Sequence, residues 1–206
     1  YVGGELNEVI KDPKEVDIRF GFCFPDVYEV GMSHLGSRIL YHVLNQRKDT
    51  YCERVYAPWP DMEKLMRENN IPLYALETKD PINEFNFLAF TLQYEMSYTN
   101  ILNMLNMGGI PLRASERTEK DPLVIAGGPC AYNPEPLYDI VDIFQLGEGE
   151  EGLNDLLDLY QKHKDNFNKE AYLREASHIP SVYIPSLYDV TYNEDGTIKE
   201  FIPKYD

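Results

Sequence analysis

The chain has 206 residues, 43% of them hydrophobic, enough for one large domain with a real core or one domain with an appendage. Its 35 acidic against 19 basic residues give a formal charge of -16, a field that repels phosphate backbones and anionic head groups and so argues against nucleic acid and membrane surfaces as partners. No apolar run reaches the length of a membrane span, the first residues lack the basic region and apolar core of a secretion signal, and a cytoplasmic location is expected.

Residues 1–16 mix Gly, Asn, Lys and Asp with few apolar positions and read as a lead-in. Residues 17–24 (DIRFGFCF) alternate and then become wholly apolar, a first strand that runs into a loop at Pro25-Asp26. From Met32, the positions Leu35, Ile39, Leu40, Val43 and Leu44 recur at helical spacing, which predicts a helix laying that face on a sheet, with Ser33 or Gly31 near its start. Residues 54–58 predict a brief strand, and Pro60-Asp61 opens a helix through Met62, Leu65 and Met66 that stops at Asn69-Asn70. Residues 73–76 are a further strand candidate. Residues 85–92 (FNFLAFTL) are the most strand-like run, followed by a helix over 97–107 that Gly108-Gly109 ends.

Leu123-Val124-Ile125-Ala126 has the continuous apolar character of a buried parallel strand and stops at Gly127-Gly128-Pro129. Residues 140–146 predict another strand, after which Gly147-Glu148-Gly149-Glu150-Glu151 opens a helix continuing through Leu153, Leu156, Leu157 and Tyr160. A short helix candidate covers 169–176. Residues 187–192 and 197–201, joined by Asn193-Glu194-Asp195-Gly196, form a hairpin pattern with a strong Asp-Gly turn signal. About five repetitions of strand then helix are the signature of an α/β fold with a doubly wound, flavodoxin- or Rossmann-like parallel sheet, here with a C-terminal β-hairpin appendage. The expected division is lead-in 1–16, α/β domain 17–180 and hairpin or linker 181–206.

In an open α/β sheet, ligands bind at the carboxyl ends of the strands. The loop 25–31, Thr91, Gly127-Gly128 and the Gly147 turn should collect there. Glycines after strands also simply permit tight turns. Glu148, Glu150 and Glu151 fall where a helix dipole favours acids and argue against a bound phosphate. The GxGxxG dinucleotide fingerprint is absent after the first strand, where PDVYEVG stands. His34 is the one histidine placed to be a metal ligand, but a solvent-facing or capping role is the one expected of it. Cys23, Cys52 and Cys130 are too widely spaced for a disulfide framework or a thiolate metal site, so reduced thiols are expected. No Ser-His-acid set is present, and no self-sufficient catalytic machinery is expected. Without an initiator Met and ending at Lys204-Tyr205-Asp206, the chain reads as a piece of a longer polypeptide.

The pattern IAGGPCAYNPEP…DIFQLGEGEEGLNDLL resembles the GGP-H and GEGE elements of the N-terminal cobalamin-binding-like domain of radical SAM proteins. YVGGELN, FPDVYEVGMSHLG, APWPDME and FTLQYEMSYTN are similar to an uncharacterised subfamily of those proteins. The resemblance implies a C-terminal radical SAM domain in the same polypeptide as partner, with S-adenosylmethionine and an iron–sulfur cluster bound there by a CxxxCxxC loop that this chain lacks. It also implies a full-length radical SAM enzyme in which this segment alone is not catalytic. Cobalamin domains of the methionine-synthase kind carry DxHxxG after the first strand; here Asp26 and Gly31 are kept and Tyr28 stands where the axial His belongs. The resemblance places Thr91 at the family's Ser/Thr turn, Gly127, Gly128 and Pro129 along the nucleotide tail, and Gly147 and Glu148 in the GEGE element, with Cys130 in place of the GGPH histidine. Two functions follow as expectations. One is cobalamin binding without a His axial ligand, with Tyr28 covering the lower corrin face. The other is a degenerate docking or substrate-positioning domain that binds no corrinoid.

Overall fold

β1 (Ile18–Phe24) sends Ile18, Phe20 and Phe22 to one side of a sheet and Cys23 to the other, so its apolar character on both sides calls for two covering layers. The computed structural model describes residues 3–205; Tyr1 and Val2 of the expected lead-in and Asp206 at the end of the expected hairpin segment lie outside them. After β1 come a single helical turn α1 (Tyr28–Gly31), α2 (Leu35–Asn45), β2 (Thr50–Tyr56) and α3 (Pro60–Glu68). β3 (Phe87–Thr91), α4 (Tyr98–Met107), β4 (Leu123–Gly127), β5 (Ile143–Gln145), α5 (Gly149–His163) and α6 (Lys169–Ala176) follow, then β6 (Val182–Tyr183), β7 (Tyr188–Tyr192) and β8 (Ile198–Pro203).

The sheet order is β2-β1-β3-β4-β5-β6, with β1 to β5 parallel and β6 antiparallel on the edge. The first five positions are the flavodoxin-like order, in which the chain steps outward from β1 to β2 and then reverses to β3. α2, α5 and α6 cover one face and α3 and α4 the other, each through buried apolar side chains. β7 and β8 form a separate antiparallel hairpin. Its Tyr188 and Phe201 rings stack at 4.5 Å, and Tyr188 reaches Tyr183 of β6 at 5.5 Å, which ties the hairpin to the sheet edge. Among the described residues no helix is long and apolar enough to cross a membrane.

Local chemistry sets the boundaries. The His34 ring caps α2, its Nδ1 accepting the Ser37 N–H at 3.1 Å. Pro60 occupies the first turn of α3, and Asn168 Oδ1 accepts the Ala171 N–H at 2.8 Å to start α6. β2 begins four residues earlier than the sequence suggests, because its charged residues are paired inside: fully buried Glu53 binds Arg19 and Thr78, and Arg54 Nε donates to Glu77 at 2.6 Å. Residues 73–76 make only an isolated bridge, Tyr74 to Pro81, while Leu73, Ala75 and Leu76 pack as buried extended chain. β5 is shorter than expected. Asp142, just before it, is a junction: its Oδ2 accepts from Arg117 Nη2 (2.9 Å) and Nε (3.1 Å) and from the Val124 N–H (2.8 Å), and Lys169 Nζ lies 2.9 Å from Oδ1. The apolar stripe of α2 is buried only in part: Leu44 lies in the core and Leu40 packs against it. Ser37, Tyr41 and Leu44 are buried, whereas Leu35 and Ile39 stand exposed near the carboxyl edge of the sheet.

The carboxyl-edge cleft as candidate functional site

Strand register builds the site. Thr91 pairs with Gly127 across β3–β4 and Gly127 with Gln145 across β4–β5, so these residues form one row at the carboxyl end of the sheet. They continue the side-chain alternation of Phe87 and Ala89, Leu123 and Ile125, and Ile143, all of which face α2 and α5. The row is therefore polar, bare, polar. Gly127 leaves a slot between the Thr91 and Gln145 side chains, and Ala89 and Ile125 floor it one row below.

The walls are equally spare. Gly36 and Leu40 of α2 and Gly149 and Leu153 of α5 close a cleft of about 170 Å3 over this row. Among the described residues no ionisable side chain lines it, which suits an uncharged group. The volume falls below the ~300–1,000 Å3 of pockets that enclose a drug-sized ligand, so the cleft fits one ring or arm of a larger molecule. Gln93 Nε2 donates to Thr91 Oγ1 at 2.6 Å, fixing the threonine hydroxyl. A larger space of about 350 Å3 lies under the hairpin, away from this edge, between Tyr138, Tyr183, Tyr188 and Lys169.

Gly128 makes the turn out of β4 with φ 102°, and a Cβ there would stand 3.0 Å from the Leu92 carbonyl oxygen. Gly127 has no such backbone, and its Cβ would meet only ordinary contact, 3.4 Å from the Gln145 carbonyl oxygen. Gly128→Ala is therefore expected to lower unfolding free energy by ~1–3 kcal/mol in urea titrations. Gly127→Ala should lower it little or not at all, and equal losses at both positions would contradict the assignment of strain to Gly128.

Thr91, Gly127, Gly128 and Gly147 thus line one cleft. Pro129 begins the 3-10 turn Pro129–Tyr132 just after it, and Glu148 precedes α5, its carbonyl accepting from Gln145 Nε2 at 3.4 Å. Asp26, Tyr28 and Gly31 are not brought to the cleft. Asp26 Oδ1 accepts the Val27 N–H at 2.7 Å. The Tyr28 hydroxyl donates to Glu5 Oε1 at 2.8 Å, and its ring meets Tyr56 edge-on at 5.5 Å, toward β2 rather than β3. The hydrogen bond to Glu5, together with burial, raises the Tyr28 pKa above the ordinary tyrosine value, so the phenol is neutral and a poor metal ligand at pH 7. Gly31 is buried against Tyr56 and Phe24. The Tyr28 ring thus packs at the carboxyl end of β2, beside the cleft rather than in it, while Asp26 Oδ2 accepts from the Tyr94 hydroxyl at 3.4 Å.

His34 is committed to its cap, with Nδ1 also 2.8 Å from Ser37 Oγ; accepting the Ser37 N–H at Nδ1 leaves the neutral ring's proton on Nε2. Cys23 and Cys52 are buried free thiols and Cys130 is half-buried and free. Among the described residues no group of three or more His, Cys, Asp or Glu side chains is placed to hold a metal ion. Sequence reading passed over Gln145. Its signal was a polar residue two after Ile143 in an otherwise apolar strand, hence on the same face as the core.

Strand order, the reversal between β1 and β3, and the cleft beside it define a flavodoxin-like α/β domain. Residues 36–185 match the family model described as "Radical SAM proteins, N-terminal", and the chain belongs to that family. It is also similar to "Uncharacterized protein MJ0966" of Methanocaldococcus jannaschii, 26% identical over 128 residues that cover 62% of this chain and 23% of that protein. The chain thus spans less than a quarter of the relative it matches. No solved structure matched the chain.

Proposed function

We propose that this segment is the accessory, cobalamin-binding-like domain of a radical SAM iron–sulfur enzyme, holding cobalamin without a histidine from the protein below cobalt. The observation that carries the reading is the Thr91-Gly127-Gln145 row beneath a cleft that takes one uncharged arm of a larger ligand. The residues fit such a group. Gly127 and Gly128 bring bare backbone to the arm, Leu40 and Leu153 supply apolar walls, and buried Gln145 offers an unpaired acceptor. Exposed Leu35, Ile39, Met96 and Tyr132, which follow the ends of β1, β3 and β4, give the rest of the ligand an apolar surface to lie on. Bound cobalamin would supply methyl or radical chemistry to substrate in the neighbouring domain. The S-adenosylmethionine and iron–sulfur cluster belong to that C-terminal domain.

The same exposed residues favour a second reading, in which the edge docks the radical SAM domain or positions its substrate and no corrinoid binds. Titration with hydroxocobalamin followed by gel filtration separates the two: a visible spectrum that co-elutes with protein supports the corrinoid reading, and colourless protein supports docking. In the bound Co(II) form, with the nucleotide base held in the cleft away from cobalt, an EPR spectrum without nitrogen superhyperfine splitting is expected, because His34 is committed to its helix cap. Nitrogen splitting would point to His34 or to a retained nucleotide base.

A further inference from the structure

The space of about 350 Å3 beneath the hairpin has the size of a pocket that encloses a small ligand. Tyr138 from the β4–β5 connection, Tyr183 of β6, and Tyr188 and Tyr192 of β7 line it, and five charged side chains join them. Four of the five are answered. Lys169 Nζ donates to the carbonyls of Ala114 (2.9 Å) and Arg117 (3.2 Å) and pairs with Asp142, which occupies its three protons. Lys204 Nζ donates to the Ser186 carbonyl at 2.9 Å and lies 3.4 Å from Asp189, and Asp139 faces Arg113 at 3.4 Å. The fifth is Glu135, half-buried on the cavity wall, and among the described residues no hydrogen bond or ion pair reaches its carboxylate.

The backbone beneath that carboxylate is stiff. Pro134 and Pro136 flank Glu135 in the 3-10 turn Glu135–Leu137, which the Leu137 N–H closes on the Pro134 carbonyl at 2.9 Å, so little freedom is left to lose on binding. Burial and then the charge of Glu135 push Tyr183 up to about 12 and raise Tyr192 above the ordinary tyrosine value, so both phenols stay neutral beside it. A carboxylate without a partner among neutral aromatic rings attracts a cation in two ways, by its charge and by the ring quadrupoles. The same carboxylate, and the net charge of -16, oppose an anion.

We infer that this cavity binds an organic cation, an ammonium or guanidinium group held between the Glu135 carboxylate and the rings of Tyr138, Tyr183, Tyr188 and Tyr192. A free amine and a lysine or arginine side chain of another protein segment share that chemistry. The inference is independent of the corrinoid reading, because this cavity and the carboxyl-edge cleft have no lining residue in common.

The test is an NMR titration of the 206-residue chain, isotope-labelled in its tyrosine rings, with agmatine, with N-acetylarginine methylamide and with the neutral control pentanamide. Single phenylalanine replacements assign the ring signals of the cavity. At least one of the two cations should move the signals of Tyr183 and Tyr188, and pentanamide should not. Glu135→Gln should weaken that binding roughly tenfold and leave Tm unchanged, since the carboxylate has no partner to lose. Glu135→Asp, which keeps the charge, should lose less. Tighter binding of agmatine assigns a free amine, and equal or tighter binding of the capped arginine assigns a protein side chain. Ring signals that stay still with both cations, or that move alike with pentanamide, overturn the inference, and so does unaltered affinity in Glu135→Gln. None of these results bears on the corrinoid reading.

Discussion

Asp142→Ala is expected to destabilise the domain by about 3–5 kcal/mol, the cost of leaving a buried charge without its partner. The side chains of Arg117 and Asp142 are 0% and 1% exposed, so water cannot replace the lost carboxylate. The substitution also strands the Val124 N–H at the start of β4 and the ammonium of Lys169 at the start of α6. Three segments that frame the sheet edge lose their common anchor. For a chain of this size the fall in Tm is roughly 6–20 °C. Urea unfolding measures it directly. Replacing the whole group by apolar side chains, Arg117→Met with Asp142→Leu and Lys169→Met, should recover much of the loss, because no charge is then left buried. A loss below about 1 kcal/mol for Asp142→Ala would show that the pair is solvated after all and adds no more than a surface ion pair.

On the corrinoid reading proposed above, Gly127→Leu is expected to spare folding and weaken corrinoid binding. The position is strand backbone without a left-handed φ, and its Cβ meets only ordinary contacts, so the leucine has no reason to distort β4. Strand alternation aims the side chain toward α2 and α5, into the slot between Thr91 and Gln145. A ligand arm must then displace packed carbon, a cost of ~1–3 kcal/mol or more, which weakens binding roughly 10- to 100-fold. Absorbance titration with hydroxocobalamin reads the affinity, and circular dichroism checks the fold. A variant that binds as tightly as the unchanged chain would place the ligand outside the cleft.

How much of this was legible in the sequence differs by element, for physical reasons. β1, β3 and β4 could be read because buried parallel strands are apolar on both faces, and the hairpin because Asp195-Gly196 demands a turn. The first half of β2 could not, because Glu53 looks exposed until Arg19, 34 residues earlier and up to ~110–120 Å away along an extended chain, folds onto it. Leu35 and Ile39 misled in the other direction: they follow the helical period yet face outward at the edge where a ligand or a second domain is proposed to lie, a conflict between local pattern and burial of the kind functional surfaces produce.

The site divided along the same line. Thr91, Gly127, Gly128 and Gly147 follow directly from where strands end, and strand ends in a parallel sheet lie together. Tyr28 depended on which way a loop leans, and one helical turn at Tyr28–Gly31 decides that by packing the ring on Tyr56. Gln145 depended on register between β4 and β5, which spacing along the chain does not carry.

The most direct measurement is the position of cobalt. Crystals grown with hydroxocobalamin and measured at the cobalt absorption edge should give one anomalous peak beside the carboxyl ends of β1, β3 and β4, near the mouth of the Gly127 cleft, with no protein nitrogen within bonding distance. A peak elsewhere on the molecule, or coloured protein solutions whose crystals place the corrinoid away from that edge, would contradict the assignment of the cleft.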